Sequence, residues 1–344
     1  FLEDIQTDFD RELRGALGLN PKGTDYIDID SYDPSTFDIT MFGQDELLNA
    51  GSSLVYYYGY DIYGNKNTKS ASLKDFFAEG SERLISPYNP IYTAGYIQDK
   101  FAVEDLIFNV GIRVDRFDAN QKVLKDKYLL YEAYKASSTK GMSASAGSRP
   151  STIGDDFVVY VDDFSSANPN TVGYRNGDIW YNSDGLVISD PKDLAEAAGG
   201  KIQPYLTNKN APSEAISMDA FEDYKPEVVF MPRLAFSFPI SDEAQFFAHY
   251  DVLTQRPPSR NMIEPVDYLF MADRVGALLN NPDLKPEKTI DYELGFAKTL
   301  SLRSALKISA FYKEMRDQIQ VINVLAAYPA QYLTMGNVDF GTVK

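Results

Sequence analysis

The feature that most constrains this chain is a strict two-residue alternation near its C-terminal end. Ile290, Tyr292, Leu294 and Phe296 fall on one parity; Thr289, Asp291, Glu293 and Gly295 fall on the other. After a polar break at 301–304, Leu306, Ile308, Ala310 and Tyr312 oppose Lys307, Ser309, Phe311 and Lys313. Successive side chains of a strand point to opposite faces, so two such runs joined by a short break read as an antiparallel hairpin with one apolar face. That hairpin suits two solvents. A soluble sandwich turns the apolar face to a core. A transmembrane barrel turns it to lipid and the polar face to a wet lumen.

The pattern recurs along the chain. Leu106, Phe108, Val110, Ile112 and Val114 alternate with Asn109, Gly111, Arg113 and Asp115, after a turn at Glu104–Asp105. Val228, Phe230, Leu234, Phe236 and Phe238 share a parity, interrupted by Pro232, which a central strand admits only at a bulge or an unpaired position. Phe246, Ala248, Tyr250 and Val252 then oppose Gln245, His249 and Asp251. Seven long strands are expected: one ending near Phe101, the others starting near Leu106, Val228, Ala244, Thr289, Ala305 and Tyr332. A soluble protein would need all these apolar parities to meet in one core. A barrel needs them only to face lipid.

Composition narrows the classes. A formal charge of −17 argues against nucleic acid, whose phosphates need a basic surface. Absence of cysteine excludes disulfides and thiolate metal sites. No apolar run is long enough for a transmembrane helix, which says nothing against a barrel. The 24 Tyr and 21 Phe suit β-strands, and also the aromatic girdles of a membrane barrel. The segment from Phe1 lacks a basic n-region and a cleavage site, and the chain stops in a strand-like run at Lys344, so it reads as an interior piece of something longer.

The wording of the strands carries a resemblance. Asn281, Pro282, Leu284, Lys285, Pro286, Glu287, Tyr292, Glu293, Leu294 and Gly295 form "NP-x-L-KPE-x-x-x-x-YELG", which closely resembles a segment of TonB-dependent outer-membrane receptors. Tyr96, Ile97, Gln98, Asp99, Asn109, Gly111, Arg113 and Asp115 match a second hairpin of that family, and "PRLAFSFPI" with "FFAHYDVLTQRPP" a third. The succession YGYDIYGN and SLKDFF resembles the family's Oar-like branch from Bacteroidetes-type bacteria. The resemblance implies an all-β fold, part of a large antiparallel transmembrane barrel of about twenty-two strands around a plug, with long extracellular loops. The plug and the TonB box are expected to lie outside this sequence. The organisation implied is an extracellular loop region at 1–90, a barrel hairpin at 91–118, a long loop insertion at 119–224, and barrel strands over 225–344 with outer loops at 254–284 and 320–331.

Candidate site residues are few. Arg256, Arg260 and Arg274 stand out in an acidic chain as hands for an anionic ligand, with pairing to local carboxylates as the competing reading. Tyr174, Trp180 and Tyr181 offer aromatic contact from an exposed loop, or local packing. Asp28, Asp30 and Asp33, with Asp25, are weak calcium candidates, since their spacing departs from the calcium-loop pattern. His249, the only histidine, reads as a lumen hydrogen-bonder; Arg113 and Asp115 read as a cross-strand ion pair. No catalytic set and no cofactor are expected. Three functions stay open: TonB-dependent uptake of a large or scarce solute; a scaffold barrel whose loops bind a surface lipoprotein; and a secreted β protein that binds or cleaves glycans. The partners implied are outer-membrane lipid and, through the plug, the TonB system.

Overall fold

A computed structural model describes residues 6–53, 55, 57–68, 71–138, 149–197, 199, 202–258 and 261–343. Among the described residues before the first strand are three short α-helices, α1 (Asp8–Ala16), α2 (Gln44–Leu48) and α3 (Leu73–Phe77), each with acidic residues in its first turn, where the helix dipole favours them. Thr7 caps α1 by accepting from the Asp10 N–H, and Ser72 with Asp75 forms a reciprocal capping box on α3.

Strands β1 (Ile91–Val103) and β2 (Leu106–Asp118) form a hairpin closed by Glu104–Asp105. The insertion that follows holds β3 (Lys122–Leu124), β4 (Val158–Val161), β5 (Thr171–Asn176), β6 (Ile179–Asn182), β7 (Val187–Ile188), helix α4 (Pro191–Ala197), β8 (Gln203–Pro204) and β9 (Phe221–Asp223). Next come β10 (Glu227–Ser241), β11 (Ala244–Gln255), helix α5 (Pro265–Leu269), β12 (Leu278–Leu279), β13 (Glu287–Ser301), β14 (Ser304–Val324) and β15 (Tyr332–Val343). The long strands make one open antiparallel sheet in the order β1-β2-β10-β11-β13-β14-β15, with β12 added in parallel at the end. Pro232 sits where the β10–β11 ladder stops: pairing begins at Arg233↔Asp251, and beyond it the Thr254 hydroxyl reaches Met231 Sδ at 3.2 Å. A proline, which has no N–H to give, is accommodated where that pairing ends.

The sheet has the two faces that alternation requires. On one, register aligns Val110, Leu234, Tyr250, Tyr292 and Tyr312 in a row. Tyr250–Tyr292 and Tyr292–Tyr312 ring centroids lie 5.0 and 5.9 Å apart. A phenylalanine row lies nearer the short turns, where Phe101, Phe108, Phe236 and Phe246 touch in succession at 5.4, 6.4 and 5.9 Å. Among the described residues no core covers this face: Phe230, Ile308 and Leu294 are 61%, 60% and 55% exposed. Its upper edge is marked by the first charged residues above the apolar band, Arg116 on β2 and Glu314 on β14. The Tyr312 row meets β2 at Val110, so Glu314, two residues higher, aligns with Ile112, four below Arg116. Four residues over the four steps from β2 to β14 is one residue per strand. At ~3.3 Å per residue and ~4.8 Å between strands, that is a tilt of roughly 35°, the value of membrane barrels.

The short turns at 104–105, 242–243 and 302–303 lie at one end of the sheet; the long connections gather at the other and fold together. Their common core takes Leu48, Phe76 and Phe77 from the first ninety residues, Leu130, Tyr160 and Trp180 from the insertion, and Tyr268, Met271 and Leu279 from the connection after β11. A second core, with Val159, Val161, Tyr174 and Leu206, lies against the five-stranded sheet β7-β6-β5-β4-β8. Stretches whose composition reads as solvated loop thus form a packed outer layer, because each contributes a few apolar residues that only meet in three dimensions. Strand β14 also continues to Val324 through a bulge at Asp317 (φ 54), so the connection to β15 is 325–331, shorter than the alternation suggests.

The motif segment ties layer to wall. Leu284 is fully buried, and its carbonyl accepts from the Tyr224 hydroxyl at 3.1 Å. Asn281 Nδ2 donates to the Met335 carbonyl at 2.8 Å, Lys285 N–H donates to Asn337 Oδ1 at 2.9 Å, and Ile319 N–H donates to Glu287 Oε1 at 2.8 Å. The segment therefore anchors the start of β13 across β14 and β15.

Candidate functional site

The polar face of the sheet is a charged wall. Register sets Arg233, Asp251, Asp291 and Lys313 side by side on β10, β11, β13 and β14. Lys313 Nζ is 3.1 Å from Asp291, and Arg233 Nε is 3.7 Å from Asp251. Two carboxylates directly opposite each other repel, and the flanking cations offset that. His249 lies one row nearer the short turns, with Nε2 3.9 Å from Asp251 and 3.7 Å from Glu293, inside this ladder. Next to it Phe247 lies over Gly295, with Lys307 Nζ 4.6 Å from the ring centre.

Nearer the loop end the wall carries a second network. Arg113 Nε donates to Asp115 at 2.7 Å, and Arg113 Nη2 donates to the Tyr92 hydroxyl at 3.0 Å, while that hydroxyl donates to Asp115. Arg113 and Asp115 thus pair along one strand rather than across two, and Tyr92 of β1 supplies the cross-strand link. The Arg256 guanidinium lies 4.5 Å above the Tyr92 ring. Ten of the twelve described arginines have a carboxylate within 4.0 Å; Arg256 and Arg303 are the exceptions.

The candidates named from sequence separate on this geometry. Arg274 pairs with Asp267, whose side chain is 5% exposed; burial, with Glu264 nearby, pushes that carboxyl up to about 6 despite the arginine. Arg260 lies outside the described residues. Tyr174 and Trp180 are 3% and 4% exposed, so they pack the outer layer from within and present no ring to a ligand. Tyr181 is half-buried against Phe157. Asp33 is spent as a cap, accepting from the Ser35 N–H and hydroxyl, and Asp28 offers its carbonyl to Ser31. Among the described residues, no group of three or more His, Asp or Glu is placed to hold a metal ion, and Asp28, Asp30 and Asp33 do not converge.

Sequence reasoning missed Arg175, a 2%-exposed arginine that donates to Asp126, to the Tyr160 hydroxyl and to the Gly177 carbonyl, with its guanidinium 4.5 Å from the Tyr128 ring centre. It holds the wall of a cavity of about 460 Å³ between the outer layer and the top of β14 and β15. Nothing in its neighbours in sequence marks it. Tyr92 was missed for the same reason: its partners lie on β2 and beyond β11.

An open, tilted antiparallel sheet with a bare apolar face, a charged opposite face and a packed layer at one end is the wall of a transmembrane barrel. The chain belongs to the TonB dependent receptor-like, beta-barrel family, whose model matches residues 4–344. The barrels of this family are outer-membrane proteins. No curated protein matches the sequence. Among solved structures it is similar to a double mutant of the Serratia marcescens hemophore receptor HasR in complex with its hemophore HasA and heme. That match has 11% identity, covers 75% of this chain and 31% of that one, and has a TM-score of 0.39. The FrpB iron transporter from Neisseria meningitidis matches at 11% identity over 72% of this chain and 21% of its own, with a TM-score of 0.31. The ferric-catecholate import receptor Fiu from K12 E. coli matches at 11% over 81% and 27%, with a TM-score of 0.30. The chain spans a third or less of these three structures. Among the described residues no helix is long and apolar enough to cross a membrane.

Proposed function

We propose that this chain is barrel wall and outer loops of a receptor that takes a large or scarce solute across the outer membrane, driven through a plug by the TonB system. The full barrel would close with about twenty-two strands. The observation that carries this reading is the bare apolar face, whose upper charged edge steps by one residue per strand: a soluble core would cover that face, and a tilted wall in a bilayer needs such an edge. Ligand capture falls to the loop end, where Arg256 is exposed without a carboxylate. The receptor acts by binding, without covalent chemistry, and the stretches YGYDIYGN and SLKDFF support assigning it to the Oar-like branch. The long connections lie outside the cell. In a second reading the packed layer at the loop end is a scaffold on which a surface lipoprotein docks.

The test is extraction of outer-membrane vesicles carrying the full-length protein with alkaline carbonate, followed by gel mobility with and without heating. Retention with a heat-dependent shift is expected. Release into the wash without a shift would return the chain to the secreted, glycan-binding reading. Energised accumulation of solute by the vesicles, abolished when the TonB system is removed, then separates uptake from a scaffold role.

A further inference from the structure

We infer that Lys288 and Arg316, side by side on the lipid face just beyond the apolar band, hold a phosphate of the acylated glycolipid of the outer leaflet. This rests on the reading of that face as barrel wall with the long connections outside the cell, and not on uptake.

Register places Lys288 of β13 directly opposite Arg316 of β14. Both have the parity of the apolar face: Lys288 follows Tyr292 and Ile290 toward the loop end, and Arg316 follows Tyr312 and Glu314. Ile290 is the last apolar residue of that face on β13. Two residues at ~3.3 Å each, on strands tilted by roughly 35°, put the pair about 5 Å above it. A headgroup layer is roughly 5–7 Å thick on each side of the hydrocarbon. The pair therefore stands at phosphate depth, above the Tyr250, Tyr292 and Tyr312 row, which has the place of an aromatic girdle.

The charges there do not close on themselves. Like charges directly opposite each other on two strands repel. The polar face meets the same problem at Asp251 and Asp291, and sets Arg233 and Lys313 on either side of them. Lys288 and Arg316 have no such flanks. Thr254 of β11 lies in register beside Lys288, and Arg316 falls in the bulge of β14, where no residue of β15 is in register with it. One carboxylate serves the two cations. Glu314 accepts from Arg316 Nε at 2.6 Å, whereas among the described residues the lysines paired with a carboxylate are Lys122, Lys127, Lys225, Lys285 and Lys313, and not Lys288.

The missing anion comes from the membrane. A phosphate accepts from a guanidinium and an ammonium at once, and such charge-assisted bonds gain strength in a partly desolvated headgroup layer. A zwitterionic phospholipid carries its own ammonium beside its phosphate. The phosphates of lipid A, the acylated disaccharide of the outer leaflet, have no internal cation, so they gain most from this pair.

The test uses full-length protein in detergent, with EDTA to remove bridging divalent cations. It is titrated with lipid A, with dephosphorylated lipid A and with phosphatidylglycerol. Binding is read by native mass spectrometry, and folding by heat-dependent gel mobility. Lipid A is expected to bind about tenfold tighter than its dephosphorylated form, and phosphatidylglycerol more weakly than lipid A. Lys288→Gln should weaken lipid A about tenfold, the loss of one charge-assisted contact. The same variant, free of lipid, should be at least as heat-stable as the natural protein, because its repulsion with Arg316 is gone. Arg303→Gln, at the short-turn end, should change nothing. Lipid A binding indifferent to its phosphates or to Lys288→Gln overturns the inference, as does equal or tighter binding of phosphatidylglycerol. If Lys288→Gln does not give the folded, heat-shifted species, Arg316→Gln carries the same readout. A natural protein without any heat-shifted species removes the barrel reading and this inference with it; a folded barrel that ignores the phosphate removes this inference alone.

Discussion

At the scale of single residues, burial decides which charges matter. Arg175 is withdrawn from water and compensated on every side, by Asp126, the Tyr160 hydroxyl, a carbonyl and the Tyr128 ring. Breaking such a set strands its partners, so Arg175→Met should loosen the outer layer by about 3 kcal/mol, read as faster amide exchange in β4–β6 with the long strands unchanged. Asp267 is the opposite case, since desolvation outweighs its arginine and its carboxyl is raised to about 6. A carboxyl raised on folding adds stability that is fully present below its ordinary range and is lost as pH rises through the folded value. The stability of the natural protein relative to Asp267→Asn should therefore fall between pH 4 and pH 7, as ~4 is the ordinary carboxylate value. A relative stability that rises over that window would mean that Arg274 dominates.

At the scale of elements, close approach explains the glycine of the YELG motif. A Cβ on Gly295 would meet the Ile308 carbonyl at 2.8 Å and the Phe247 ring. Gly295→Val should cost about 1–3 kcal/mol in urea unfolding of the reconstituted barrel. Adding Phe247→Ala should restore part of that loss, because the carbonyl contact stays. The alternation around it was legible from sequence, since period two is a local property. The break at Pro232 and the bulge at Asp317 were not equally legible: a proline announces itself, whereas Asp317, at φ 54, lies in a stretch tied to distant residues, its own N–H to Asp339 and the Ile319 N–H to Glu287.

At the scale of the whole molecule, the two faces of the sheet should respond oppositely to charge. Leu294→Arg, on the apolar face, should cost about 2–4 kcal/mol in a bilayer and reduce the heat-shifted species. Ser309→Arg, on the polar face of the adjoining strand, should be nearly neutral. Comparable losses from both would mean that the apolar face is covered by protein rather than lipid.

The long strands, their hairpins, the short turns and the faces of the alternating runs follow from the order of the amino acids alone, because these depend on neighbours two residues apart. That order also carried the family, through motifs whose side chains pin β13 to its surroundings. Tertiary structure alone decided the rest. The stretches before β1 and between β2 and β10 became a packed layer, Trp180 and Tyr174 became core, Asp33 became a cap, and Arg256 came to stand over Tyr92 from far along the chain. Each depends on which distant segments converge at the loop end, and on the burial that follows, which no local periodicity encodes.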